Sequence, residues 1–357
     1  MRKSLLLFIV MISAVLFSTA VFAAAWNVPT NVRIVQKSNI DNTGRIYSSI
    51  QQAINSITNA SATNPYVVKV MPGIYDLGTA SLQMKAYVDV EGSGPDNTII
   101  MSSNNNIDGD TCTIGTVLMA NNSSIRHIKV VNMPQAQNGN FNSVAAVVFN
   151  NVKAKAEGIS VLVGSDTVDG GRSNGICSDG EAAHAVLNNV NVETHNAANG
   201  QSNQIIMHRG GSLTLTNSKL VGFGSGAMVH GINSGGYMGG DPGIVTVINS
   251  TIEGTSSRVE SVFLDSYKAS ISHSTMIMNV GTGNGATAIY LATGSGAENF
   301  SMVNSKIISD GIVYYTITID PAATKFANSL LPGDISGLAG AKLVNNYDEN
   351  FDPIPNQ

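Results

Sequence analysis

The chain has 357 residues, a formal net charge of −5, 43% hydrophobic and 12% charged residues, 36 glycines and two cysteines. An acidic chain without clustered Lys or Arg is a poor partner for nucleic acid or anionic lipid. Its length exceeds what one ordinary globular core fills, whereas a stacked-repeat architecture grows by adding units.

Residues 1–23 read as a secretory signal: Arg2 and Lys3, an apolar stretch from Leu5 to Val21, and a small-residue site at Val21-Phe22-Ala23. Cleavage there predicts export to the periplasm, cell surface or medium, with no stable membrane span afterwards. It moves the net charge from −5 to −7. Such a protein repels polyanions at long range unless a cation or a local basic site intervenes.

The lead, residues 24–46, holds Trp26 and a possible strand from Asn31 to Val35. Ile50, Ala53, Ile54 and Ile57 then recur at helical spacing behind Ser49, which predicts an amphipathic helix from Ser49 to Ile57 capping the chain's first repeat. Strands are expected at Tyr66–Val70, Tyr87–Glu91 and Thr98–Met101.

Downstream, one unit recurs. Ser212-Leu213-Thr214-Leu215-Thr216-Asn217-Ser218-Lys219-Leu220 alternates apolar and polar residues around an Asn-Ser pair. Copies lie at Val245–Ile252, Ala269–Met276 and Phe300–Ile307, with weaker ones at Val147–Val152 and Ala185–Val190. The pairs begin at 150, 188, 217, 249, 273 and 304, giving steps of 38, 29, 32, 24 and 31 residues. Strand-turn-strand units at that spacing predict a parallel β-helix over residues 47–345, followed by a tail at 346–357. The asparagines serve as corner pieces, because Asn tolerates a left-handed bend and can bond the next coil's amide. Cys112 and Cys177, about two coils apart, are either a disulfide or two buried thiols.

Three stretches carry a resemblance: Tyr47–Ile54, Val70–Tyr75 and Val90–Ile100. Together they resemble the opening of a pectin methylesterase, within the pectin-lyase-like superfamily of right-handed parallel β-helices. The match spans about 55 residues and implies a fold more than an activity. The end, Asn345–Phe351, resembles the close of secreted bacterial β-helix proteins.

The resemblance implies a carboxylate nucleophile, a carboxyl acid, oxyanion glutamines and an orienting arginine. Laid on those motifs, Ser143–Val147 lacks the glutamine, and Gly164–Val168 keeps Asp166 as the acid but has Ser165 for glutamine. Gly180–Val186 places Ile176 at the nucleophile, and no Arg-Pro-Trp follows. Two readings stay open. The first is an exported β-helix without esterase activity that binds polysaccharide or a cell-surface glycan, or is a structural or adhesive surface element. The second is a carbohydrate-active enzyme of the pectinesterase or pectate lyase type on an acidic polysaccharide. The long step between 150 and 188 predicts a polar loop whose Asp166, Asp169, Arg172, Asp179, Glu181 and His184 are the candidate catalytic and binding residues. Converging carboxylates there would recruit calcium. No metal site is expected of His184, His208 and His230, and no other cofactor.

Overall fold

The computed structural model describes residues 31–38, 44–104, 112–133, 143–164, 172–196, 202–224, 228–234, 243–256, 259–264, 268–281, 284–291, 299–317 and 324–356. Its strands form three long sheets of 13, 9 and 9 strands, here sheets I, II and III, and a two-stranded antiparallel pair at the C-terminal end. Within each long sheet all pairing is parallel, and neighbouring strands come from successive coils. One coil consists of His184–Asn188 in sheet I, Asn191–Asn196 in sheet II and Ser202–Arg209 in sheet III; Ser212–Thr216 then lies beside His184–Asn188. This is a parallel β-helix.

Register turns the sequence alternation into a core. Leu187, Leu215, Val247, Ile271, Met302 and Phe326 occupy one inward row of sheet I. Ile100, Val130, Val161, Val192, Leu220, Ile252, Met276 and Ile307 occupy one row of sheet II. Every member of both rows is buried. Burying each such side chain contributes about 1.5–3 kcal/mol before the entropy of ordering the chain is counted. A one-residue slip would turn a whole row to solvent, so these rows fix the register.

From His127 onward the corner between sheets I and II is a left-handed residue: His127, Gly158, Asn189, Asn217, Asn249, His273, Asn304, Asn328 and Asn345, with φ between 48° and 58°. Five of them, Asn217, Asn249, His273, Asn304 and Asn328, are followed by a serine that is buried. Ser218, Ser250, Ser274 and Ser305 each donate their backbone N–H to the next coil's serine hydroxyl at 3.1–3.3 Å. Each of those hydroxyls donates to the carbonyl two residues before it. Outside this column the asparagine amides link Asn249 to Asn217 and Asn328 to Asn304.

These corners correct the repeat count. Asn151 is also left-handed, but it joins Ser143–Asn150 of sheet III to Lys153–Glu157 of sheet I, a different corner of the coil. The corner that precedes Asn189 is Gly158, one coil of 31 residues away. The step of 38 therefore compared two unlike corners. Residues Arg172–Asp179 are likewise an eight-residue strand of sheet III, not a loop.

Helix α1 (Ile50–Asn55) has Ser49 at its N-cap and buries Ile50, Ala53 and Ile54 against the first coil. The predicted end at Ile57 overshoots the helix, although Ile57 is itself buried. At the other end Leu331, Leu338, Ala341 and Leu343 are buried, and residues 346–354 form a hairpin rather than a free tail. Among the described residues no helix is long and apolar enough to cross a membrane. The signal sequence and Trp26 lie outside the described residues.

Candidate functional site

The six residues read as one loop do not share one place. Asp166 and Asp169 lie outside the described residues. Arg172 and Asp179 occupy opposite ends of one eight-residue strand, which spans about 23 Å if straight. Asp179 accepts a hydrogen bond from Arg209 at 2.8 Å, so its charge is already paired. Glu181 is exposed in the turn beyond that strand. His184 starts the next strand of sheet I, with Nδ1 2.6 Å from the Ser212 hydroxyl. The three histidines do not stack, for His184 is in sheet I while His208 and His230 pair with Ser178 and Gln204 in sheet III. Among the described residues no group of three His, Cys, Asp or Glu side chains could hold a metal ion.

Sheet III has two packed faces. In Ser143–Asn150, Val144, Ala146, Val147 and Phe149 belong to the main core, whereas Ala145 and Val148 join Cys112, Cys177 and Met207 in a separate cluster. Two successive inward residues, Ala146 and Val147, break the strict alternation, and Ile205 and Ile206 repeat this one strand further on but one. Cys112 and Cys177 are joined as a disulfide, with Cα atoms 5.7 Å apart. The bridge crosses the outer side of Ser143–Asn150, which lies between the strands at Val117–Leu118 and Arg172–Asp179.

On the outer side of sheet III runs a polar row that the sequence analysis did not single out. Asn174, Gln204 and His230 pair successively and are 2%, 3% and 6% exposed. Asn174 donates to the Ser143 hydroxyl at 2.8 Å. Among the described residues the buried amide oxygens of Asn174 and Gln204 have no donor, an arrangement that costs about 1–3 kcal/mol per group. Burial lowers the Arg172 guanidinium from its ordinary value, and the Arg209 charge lowers it further. Each residue is third in its strand, a register that shows only once the strands are placed.

An open groove of about 480 Å³ lies on the outer face of sheet I, lined by residues that include Asp89, Arg126, Lys153, Lys155, Glu157 and His184. Strand Lys153–Glu157 alternates exposed and buried positions, so Lys153, Lys155 and Glu157 point outward together. His184 pairs with Lys153 on the next strand. Across the strands Lys69, Glu91, Arg126 and Glu157 form one row of alternating charge. Arg126 bonds Glu91 at 2.9 Å and Asp89 at 3.1 Å, and Lys69 bonds Glu91 at 2.5 Å. Burial alone would raise the Glu91 carboxyl, but hydrogen bonds and charge from Lys69 and Arg126 hold it below its usual value. Burial likewise opposes the charge on Arg126, and bonding to Glu91 with the charges of Asp89 and Glu91 reverses that, so its value rises. Lys153 and Lys155 form no ion pair among the described residues, so both cations are left to the groove.

No family model and no curated protein matches the chain. Solved structures similar to it are β-helices. Pectin methylesterase from carrot is 13% identical, with 92% of this chain and 86% of that chain covered and a TM-score of 0.39. Pectin methylesterase PemA from Erwinia chrysanthemi is 12% identical, with 93% and 85% covered and a TM-score of 0.32. The tailspike protein gp49 from Acinetobacter baumannii bacteriophage Fri1, a capsular polysaccharide depolymerase, is 13% identical, with 93% and 66% covered and a TM-score of 0.41. The likeness is one of fold alone, a parallel β-helix.

Proposed function

We propose that this is an exported β-helix protein that binds an acidic polysaccharide across the outer face of sheet I and does not hydrolyse methyl esters. The observation that carries the binding is the groove at Arg126, Lys153, Lys155 and His184. Its cations answer the long-range repulsion of an acidic chain, because a local basic site is enough once charges come within a Debye length of about 8–10 Å. Asp89, Glu157, Ser123 and Ser124 in the same groove supply acceptors and hydroxyls for sugar hydroxyl groups. Against ester hydrolysis, Ile176 at the nucleophile position is fully buried in the core, and Asp179 on the same strand is paired with Arg209. A carboxylate nucleophile with a separate acid is what that chemistry requires.

The enzyme reading is favoured by one observation, the buried row Asn174, Gln204 and His230 beside Arg172, whose two amide oxygens lack donors among the described residues. A single array experiment with the purified mature chain separates the two, reading binding and released product on acidic and neutral polysaccharides. Binding of polyuronate that Lys153→Ala/Lys155→Ala abolishes, without product, supports the binding protein. Product that His230→Ala removes would replace it with the enzyme.

A further inference from the structure

The C-terminal hairpin carries a second feature with its own chemistry. Phe351 is 73% exposed and has φ of 62°, a left-handed conformation that bulky side chains seldom adopt. The turn around it is tied closely. The Asp348 carboxylate accepts from the backbone N–H groups of Asn350 and Asp352, both at 2.9 Å, and the Phe351 N–H donates to the Asp348 carbonyl at 3.1 Å. Glu349 accepts from the Gly333 N–H at 3.2 Å, fastening the turn to the body of the helix. Tyr347 is 43% exposed, and its backbone is fixed by bonds with Ser329 and Leu331. A fold that holds an aromatic ring in water at a strained backbone position gains nothing in packing from it, so the strain points to use.

What the two rings face supports one ligand class. Between them and the corner column lies a groove of about 500 Å³, lined by His273, Asn304, Lys306 and Asn328 as well as Tyr347 and Phe351. The amides form a short chain there: Asn328 donates to the Asn304 oxygen at 3.1 Å, and the Asn304 amide lies 3.2 Å from His273 Nε2. Aromatic faces beside amide groups one strand spacing apart, about 4.8 Å, match a sugar ring, which is apolar on its face and carries hydroxyls on its rim. Asp348, Glu349 and Asp352 lie within three residues of Phe351 in the sequence and outnumber the one lysine that lines the groove, Lys306, so an anionic chain is disfavoured at this end.

We infer that the groove between Phe351, Tyr347 and the amides of Asn304 and Asn328 is a second carbohydrate site, specific for a neutral glycan chain. It is independent of the groove on sheet I, which faces a different side of the coil. The test is isothermal titration of the full mature chain with neutral hexasaccharides of glucose, xylose and mannose, and with hexagalacturonate. At least one neutral oligosaccharide binds, and Phe351→Ala weakens it tenfold or more with unchanged far-ultraviolet circular dichroism. Phe351→Gly, which relieves the strained φ, melts no lower than the parent and loses the same affinity. Lys153→Ala/Lys155→Ala leaves neutral binding intact, so failure of the acidic site and failure of this one are told apart. Neutral binding that survives Phe351→Ala, or no binding by any neutral hexasaccharide, overturns the assignment. A dimer in sedimentation that Phe351→Ala abolishes also overturns it, by giving the rings to a second copy of the chain.

Discussion

The backbone N–H of Ser218 donates to the hydroxyl of Ser250, 32 residues later, at 3.1 Å, although both lie buried at the corner of the coil. The Ser250 hydroxyl donates in turn to the Ile248 carbonyl at 2.8 Å. One small side chain thereby satisfies the buried Ser218 N–H and gives the Ile248 carbonyl a second donor beside the Asn217 N–H at 3.1 Å. Ser250→Ala leaves both without that partner and is expected to destabilise the chain by about 1–3 kcal/mol. Equilibrium urea unfolding checks it, and a change below about 0.5 kcal/mol would refute the role given to the column.

At the neighbouring position the backbone dominates. Asn249 has φ of 48° and bonds Asn217 at 2.8 Å. Asn249→Gly keeps the left-handed corner at little cost, whereas Asn249→Ala adds strain of about 1 kcal/mol to the same loss of the amide bond. The alanine variant should therefore be the less stable of the two in the same urea titration.

The disulfide closes a separation of 65 residues and its cysteines are 1% and 2% exposed. Cys112→Ala/Cys177→Ala is expected to lose about 4 kcal/mol on the loop-entropy account. Reductant alone should leave the bridge intact in the folded protein, and thiol titration should detect the pair only after denaturant is added.

Glu91 gives a pH dependence with a definite sign. Its carboxyl is held below the ordinary 4.5 by Lys69 and Arg126. A depressed carboxylate stabilises the fold above its unfolded value, and that contribution disappears as pH falls through the folded value. Glu91→Gln should melt below the parent at pH 7, by no more than about 1 kcal/mol for so open a pair. The gap should narrow as pH is lowered below about 4.5. A gap constant down to pH 3 would assign the effect to packing instead.

Ile176 stands where the pectin methylesterase resemblance puts a nucleophile, yet it is core. Methanol release from methylated pectin should stay at the blank. Ile176→Asp should not create activity and should destabilise the chain by several kcal/mol, since it buries a carboxyl among apolar neighbours. Methanol release by the parent chain at an enzyme's rate would overturn the assignment of that strand.

The sequence showed the stacked strands because sheet I and sheet II alternate cleanly and Asn-Ser words mark four of their nine left-handed corners. Four corners lie outside the recurring units: His127 and Gly158 reach the left-handed conformation without asparagine, Asn328 and Asn345 follow the last copy, and Asn150-Asn151 is a false one. Sheet III was harder to read. Its strands bend, placing Ala146 and Val147 both inward, and carry buried polar residues such as Asn174, Ser178 and Gln204. Arg172–Asp179 therefore looked like a loop. The groove on sheet I was visible only as Lys153-Ala154-Lys155-Ala156-Glu157, whose alternation gives a strand but not its neighbours. Contacts such as Arg126 with Glu91, 35 residues apart, depend on coil register.

The serine column points one way. Each corner N–H is the donor and the coil that follows holds the acceptor, ending where Ser329 donates to the Asn346 amide oxygen at 3.0 Å. A chain emerging from its N-terminus can close no rung until the next coil has arrived. Every intermediate length thus presents one unfinished corner at its growing end, and completion of this column waits for Asn346. Shortening the chain before Asn346 would freeze it in that unfinished condition, with a buried donor at its tip and a template for the next strand left open.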